Sequence, residues 1–292
     1  MHSLSSADIA LLSSELPMPV HVEIESTLYA SGRGQIELRM AGALDAPPVM
    51  LLHGIGSSSD GYRAQLAGLS DHYRVIAWNA PGFGASTPLG TDKPEVNHYA
   101  QILARLLDTL QIERLAALVG SSWGSVIAVT FAALYPERLR SLVLSAPNTA
   151  RGRLVGKERE AALAALIAAG STSQPLDRKA VAARLLPSDA AQEVRDLVEQ
   201  LRDAVTPVGW EQAAHMLFSV HTPSMIGQVR CPIGLLVGSM DMVAPPENHA
   251  ALLGEAAPSA ELQVFEGCGH MLKLEAPTKF NDAVRRLAMF AG

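Results

Sequence analysis

The sequence is poor in cysteine, aromatic residues and charge, and it has no long apolar run. Cys231 and Cys268 are its two cysteines, far apart and outside any Cys-x-x-Cys pair, which excludes a disulfide framework and a cysteine-ligated zinc centre. A reduced, cytoplasmic setting is expected. Charged residues make up 18% of the chain, and 29 acidic residues outnumber 23 basic ones. No Lys/Arg-rich tract is present to meet a polyanion or an anionic membrane surface. Nucleic acid is therefore not an expected partner; a small, neutral or apolar molecule is, and association into a homo-oligomer stays open. The longest apolar stretch, Val126 to Leu134, is far shorter than the ~20 residues of a membrane span. Ahead of Pro19 an apolar run at Ile9 to Leu12 has no basic region before it, so an added surface helix is expected there rather than a signal peptide. Aromatics at 5% leave Ala, Leu, Val and Ile to fill the core. At 292 residues the chain can bury enough of them to fold without a covalent staple.

The apolar residues come in short runs bounded by turn residues, with helical stretches between them, the pattern of a sheet covered by helices. Val22 to Leu28 and Ile36 to Met40 alternate apolar with polar, as half-exposed antiparallel strands do. Val49 to His53, Val75 to Trp78, Leu115 to Val119, Leu142 to Leu144, Ile233 to Val237 and Leu262 to Phe265 are mostly continuous, as expected of parallel strands buried on both faces. The reading is an α/β fold with a mostly parallel eight-stranded sheet and helices on both faces. Between residues 148 and 228 no strand is expected, only Ala/Leu-rich helical segments separated by Pro175, Pro187 and Pro207. That divides the chain into an N-terminal extension (1–20), a core (21–147 and 229–292) and a helical cap inserted into the core (148–228).

Ligands of open α/β sheets bind beyond the carboxyl ends of the strands. Gly120-Ser121-Ser122-Trp123-Gly124 stands there, directly after an apolar run and directly before a helical one. This Gly-x-Ser-x-Gly pattern in a strand–turn–helix setting is that of a nucleophile elbow. The turn is too tight for side chains two residues either side of the serine, and the serine itself is left exposed in a strained conformation. A serine hydroxyl needs a base, and the base an orienting acid. Asp241, after Gly238 at the end of one predicted strand, and His270, after Gly269 at the end of the next, follow Ser122 in the order acid then base. The backbone N–H groups of Ile55, in His53-Gly54-Ile55-Gly56, and of Trp123 are the candidates for an oxyanion hole. Ser122 could otherwise only cap a helix and Asp241 form an Asx-turn, but neither role requires glycines around the serine. Trp210, Met216 and Phe218 on the last cap segment, with Met271 beside the histidine, are candidate substrate-pocket residues. Cys268 reads as a small packed side chain. No Gly-x-Gly-x-x-Gly before a helix, Walker loop or His-Glu-x-x-His is present, so neither a metal nor a cofactor is expected.

These motifs, together with Asn79-Ala80-Pro81-Gly82-Phe83-Gly84-Ala85-Ser86 and Glu275-Ala276-Pro277, make the chain resemble the α/β-hydrolase superfamily, in its capped serine-hydrolase branch, from about Glu23 onward. It departs from the commonest pattern at Asn79, where many relatives carry Asp, and at Trp123, where Met is frequent. The resemblance implies a cofactor-independent serine hydrolase of a small ester or related acyl compound, acting through Ser122, His270 and Asp241. Carbon–carbon hydrolases of ring-cleavage dienoates share fold, triad and cap. Those relatives commonly carry Asn before the serine and Trp after the histidine, where this chain has Ser121 and Met271. Lactonase and perhydrolase chemistry use the same catalytic set, and some proteins of this fold serve as ligand receptors without turnover.

Overall fold

A computed structural model describes residues 4–170 and 177–289. Eight strands form one sheet: β1 (Val20–Glu25), β2 (Arg33–Ala41), β3 (Pro48–Leu52), β4 (Arg74–Trp78), β5 (Ala117–Ser121), β6 (Leu142–Ser145), β7 (Ile233–Gly238) and β8 (Glu261–Phe265). Their order is β1-β2-β4-β3-β5-β6-β7-β8. β1 and β2 are antiparallel and β2 meets β4 antiparallel, whereas β4, β3 and β5 to β8 run parallel. The helices are α1 (Ser6–Leu12), α2 (Arg63–Leu69), α3 (Val96–Thr109), α4 (Trp123–Leu134), α5 (Gly156–Gly170), α6 (Arg178–Leu185), α7 (Gln192–Gln200), α8 (Pro207–Leu217), α9 (Thr222–Ile226), α10 (Ala250–Ala256), α11 (Leu272–Glu275) and α12 (Pro277–Met289). None of them is long and apolar enough to cross a membrane.

The continuous apolar strands reflect a sheet buried on both faces. Successive residues of a strand point to opposite sides, so Met50, Leu52, Ile76, Leu118 and Leu144 enter a core with α3 and α4. Val49, Leu51, Val75, Val119 and Val143 enter another with α2 and α12. α4 is buried nearly all round, which is why its sequence is apolar on every face. The strands depart from expectation in three places, the first being β1, which ends at Glu25 rather than Leu28. β8 is the sheet's outer edge, and its Leu262 and Val264 are exposed rather than covered on both faces. β5 also starts later than the apolar run does: Leu115 forms only an isolated bridge to Leu139, and the strand carries on through Gly120 to Ser121.

From β6 to β7 the chain passes through α5 to α9 with no strand among the described residues. α6 and α7 join a third apolar cluster with Leu12 of α1 and Met271 and Leu274 near α11. Met216 and Leu217 of α8 and Ile226 of α9 instead join the core around α4. α1 is a surface helix, opened by a capping box between Ser5 and Asp8. It is tied to α12 by the N–H of Thr278, which donates to Asp8 Oδ1 at 3.0 Å.

Candidate active site

β5 ends in the elbow expected of its glycines. Ser122 has φ 51° and ψ −115°, a left-handed backbone that costs a non-glycine residue about 1–3 kcal/mol. A Cβ on Gly120 would lie 2.5 Å from the carbonyl oxygen of Gly124, and one on Gly124 would lie 2.4 Å from that of Leu52. Both glycines are therefore required by close backbone approach. The Ser122 N–H donates to Ser145 O at 2.9 Å, which anchors the turn to the adjoining strand β6. The Ser122 side chain stands at the start of α4, where negative charge is favoured.

Asp241 follows β7 and His270 follows β8. His270 Nδ1 lies 2.8 Å from Asp241 Oδ2, with both side chains buried. Asp241 Oδ1 accepts the N–H groups of Val243 and Ala244 at 2.8 and 2.9 Å, so the carboxylate also forms the Asx-turn weighed from sequence. Burial alone would raise its pKa. The His270 ring and the two N–H donors outweigh that and hold it below the ordinary carboxylate value. An ionised carboxylate only accepts, so Nδ1–H donates, and in the neutral ring Nε2 is left as the basic atom. Ser122 and His270 both line one cleft.

The loop after β3 closes the cleft beside the serine. A Cβ on Gly54 would lie 3.4 Å from Ser122 Cβ, so this loop runs against the serine side chain. Among the described residues, neither the Ile55 nor the Trp123 N–H donates to a protein acceptor. His53 Nε2 accepts from the Ala80 N–H at 3.0 Å and its Nδ1 lies 2.8 Å from Gly54 O. Burial holds its pKa down at about 4, so it is a neutral loop fastener. Asn79 fastens the neighbouring loops: its Oδ1 accepts the Ser59 N–H at 2.7 Å, and its Nδ2 donates to Glu37 Oε1 at 2.7 Å.

Of the pocket residues expected from sequence, Trp210 and Met271 line the cleft. Met216 and Phe218 do not belong with them. Both are buried in the core around α4: six residues on a helix of 3.6 per turn put Met216 on a different face of α8 from Trp210, and Phe218 lies just past the end of that helix. Their apolar character signals core, not cleft.

Sequence reasoning passed over several polar residues of the cleft. Ser57, Arg184, Arg202 and Lys273 line it along with Ser122 and His270. Lys273 interrupts the apolar run Met271 to Leu274 with a lone cation, a signal that could have found it. It is only 1% exposed, and burial lowers its pKa to about 8 despite nearby Glu275. His249 also escaped notice. It accepts the Thr149 N–H at 3.2 Å through Nδ1 and lies within electrostatic reach of Asp241 and His270. Burial pushes the pKa of the Cys268 thiol up to about 12.

Comparison with known proteins agrees with this architecture. A profile described as alpha/beta hydrolase fold matches residues 47–277. A 2-hydroxy-6-oxononadienedioate/2-hydroxy-6-oxononatrienedioate hydrolase of Paraburkholderia phymatum is 29% identical over 90% of this chain and 95% of its own. An uncharacterized carboxylesterase of Bacillus subtilis is 26% identical over 89% of this chain and 85% of its own. Among solved structures, a thermophilic esterase from Thermogutta terrifontis, with malate bound, superposes with a TM-score of 0.82 at 24% identity. The match covers 93% of this chain and 99% of that one.

Proposed function

We propose that this chain, which belongs to the α/β-hydrolase fold family, is a serine hydrolase that cleaves a small ester through an acyl-enzyme. One observation carries the reading: the strained Ser122 shares a cleft with His270, whose Nδ1 is held at 2.8 Å by Asp241. His270 Nε2 takes the Ser122 proton as Oγ bonds to the acyl carbon. The carbonyl oxygen becomes an oxyanion, held by the Ile55 and Trp123 N–H groups. As the carbonyl re-forms, the ester C–O bond breaks and the alcohol leaves with the proton from His270. Water then gives a proton to His270 and attacks the acyl carbon, and Ser122 recovers the proton as the acid departs. Asp241 keeps the ring in the productive tautomer and stabilises its charged form. The helical segment 148–228 acts as a cap and supplies Arg184, Leu185, Leu201, Arg202 and Trp210 to the cleft.

The test is direct. Ser122→Ala abolishes hydrolysis of p-nitrophenyl butyrate with the circular dichroism spectrum unchanged, and a fluorophosphonate probe labels the native protein but not the variant. Near-normal turnover by the variant sinks the mechanism; folded native protein that is neither labelled nor active supports a ligand-binding role. A second reading, carbon–carbon bond hydrolysis, is favoured by the relative from Paraburkholderia phymatum, whose length is 95% covered. Cleavage of a ring-fission dienoate without p-nitrophenyl butyrate activity would establish it over the first.

A further inference from the structure

Three cationic side chains stand around the cleft beside Ser122. Arg184, Arg202 and Lys273 line it, and no aspartate or glutamate does. The segments outside the described residues contain no acidic residue that could enter it. The expectation of a neutral partner came from a net charge of −6, but the charge that a substrate meets is local.

Arg202 is the informative side chain. Its guanidinium lies 4.7 Å over the Trp210 ring and makes no hydrogen bond or ion pair with any described residue. Its Nε is buried without a partner. Burial lowers its pKa, and the charges of Arg184 and Arg178 lower it further, with no anion opposing them. Arg178 has an acidic partner, Asp203 at 2.5 Å; Arg202 has none among the described residues. A Cβ on Gly56 would lie 2.6 Å from Arg202 Nη1, so the guanidinium reaches the loop that carries the Ile55 N–H.

Lys273 and Ser57 extend the same wall. Lys273 Nζ has the Ser121 hydroxyl at 3.3 Å and the Tyr62 ring at 5.1 Å, and it pairs with no described carboxylate. Glu275, the nearest acid in sequence, already accepts the N–H groups of Gly269 and Met271 at 2.7 and 2.8 Å. Ser57 is 95% buried, and its Oγ has no hydrogen-bond partner among the described residues. A half-buried guanidinium without an acid and a buried hydroxyl without a partner are costly to a free protein. An anion would repay that cost, since a guanidinium fork binds a carboxylate with two charge-assisted hydrogen bonds. The rest of the lining, including Val181, Leu185, Val198 and Leu201, is apolar.

We propose that the substrate carries a carboxylate at the far end of a short apolar acyl chain, and that Arg202, Lys273 and Ser57 bind this carboxylate while Ser122 attacks the other end. The inference rests on the reading of Ser122 as nucleophile, but binding tests it without turnover. Calorimetry with full-length Ser122→Ala measures Kd for the monomethyl esters of succinate, glutarate and adipate, each against the ester in which an amide replaces the free acid. At least one acid binds tenfold or more tighter than its amide. Arg202→Gln and Lys273→Met in that background each erase most of the difference, whereas Arg202→Lys keeps part of it. In the native enzyme the same acid shows the higher kcat/KM, mainly through a lower KM. If no half-ester binds better than its amide, the inference is overturned while hydrolysis by Ser122 still stands. If a half-ester binds selectively but native protein neither turns it over nor reacts with a fluorophosphonate, the anion site stands and the hydrolase reading falls.

Discussion

Asn79 stands where many α/β-hydrolases carry aspartate, and the structure gives a physical reason that can be tested. Its Oδ1 receives the Ser59 N–H, a role an aspartate could fill, but its Nδ2 donates to the Glu37 carboxylate at 2.7 Å. Asn79→Asp replaces that donor with a second acceptor at a site 2% exposed. A hydrogen bond to a charged group is worth about 1.5–3 kcal/mol. Two charges about 4 Å apart repel by about 4 kcal/mol at an effective dielectric constant near 20, and less where water reaches them. Adding them would exceed the real loss, because the pair can bind a proton. The expected destabilisation is about 3 kcal/mol at pH 7.5, falling to about 1 kcal/mol at pH 4.5, where one carboxyl holds a proton and donates to the other. The sign follows from linkage: the new carboxyl has a folded-state pKa above its unfolded one. Its contribution is intact below the unfolded value and is lost as pH rises through the folded one. Urea unfolding of both proteins at the two pH values measures this, and Glu37→Gln added to Asn79→Asp recovers at least half of the loss. A loss below 0.5 kcal/mol at pH 7.5, or one independent of pH, would refute the argument.

Glu275 predicts a second pH effect. Burial raises its pKa to about 7 against the two N–H groups that favour the charged form. A raised folded-state value means that stability present below pH 4.5 is lost as pH climbs to 7, by on the order of 3 kcal/mol. Glu275→Gln flattens that part of the stability profile in chemical denaturation, and unchanged slopes would contradict it. Lys273 acts in another window: its lowered pKa makes stability rise between about pH 8 and the ordinary lysine value. The cysteines give a third test. Burial pushes Cys231 to about 11 and Cys268 to about 12, so neither reacts with a thiol reagent at pH 8 until urea unfolds the chain, and activity survives the exposure. Rapid modification of folded protein accompanied by inactivation would contradict this.

What could be read from sequence, and what could not, divides by the range of the physics. The elbow was legible because its constraint is local: Gly120 and Gly124 are dictated by backbone atoms a few residues away or on the adjoining strand. The strands were legible because alternation and continuity record which faces are covered, and β8 misled because a continuous apolar run does not reveal an edge. Asp241 and His270 were legible as strand-end residues in a known order, although only the fold brings them within 2.8 Å. Met216 and Phe218 misled because apolar residues on a helix look alike whether they face a cleft or a core. The charge of the cleft was illegible for a different reason. Arg184, Arg202 and Lys273 come from α6, from the turn after α7 and from α11; the two arginines read in isolation as ordinary solvated cations, and only Lys273 stands out, by interrupting an apolar run. Arg178, which does find an acid, has the same appearance in sequence as Arg202, which does not. Only the three-dimensional arrangement separates them, and it gathers three cations around one cleft of an acidic protein. Substrate charge should therefore be the first variable in any activity screen, ahead of chain length, because a panel of neutral esters alone would miss the contact that Arg202 is free to make.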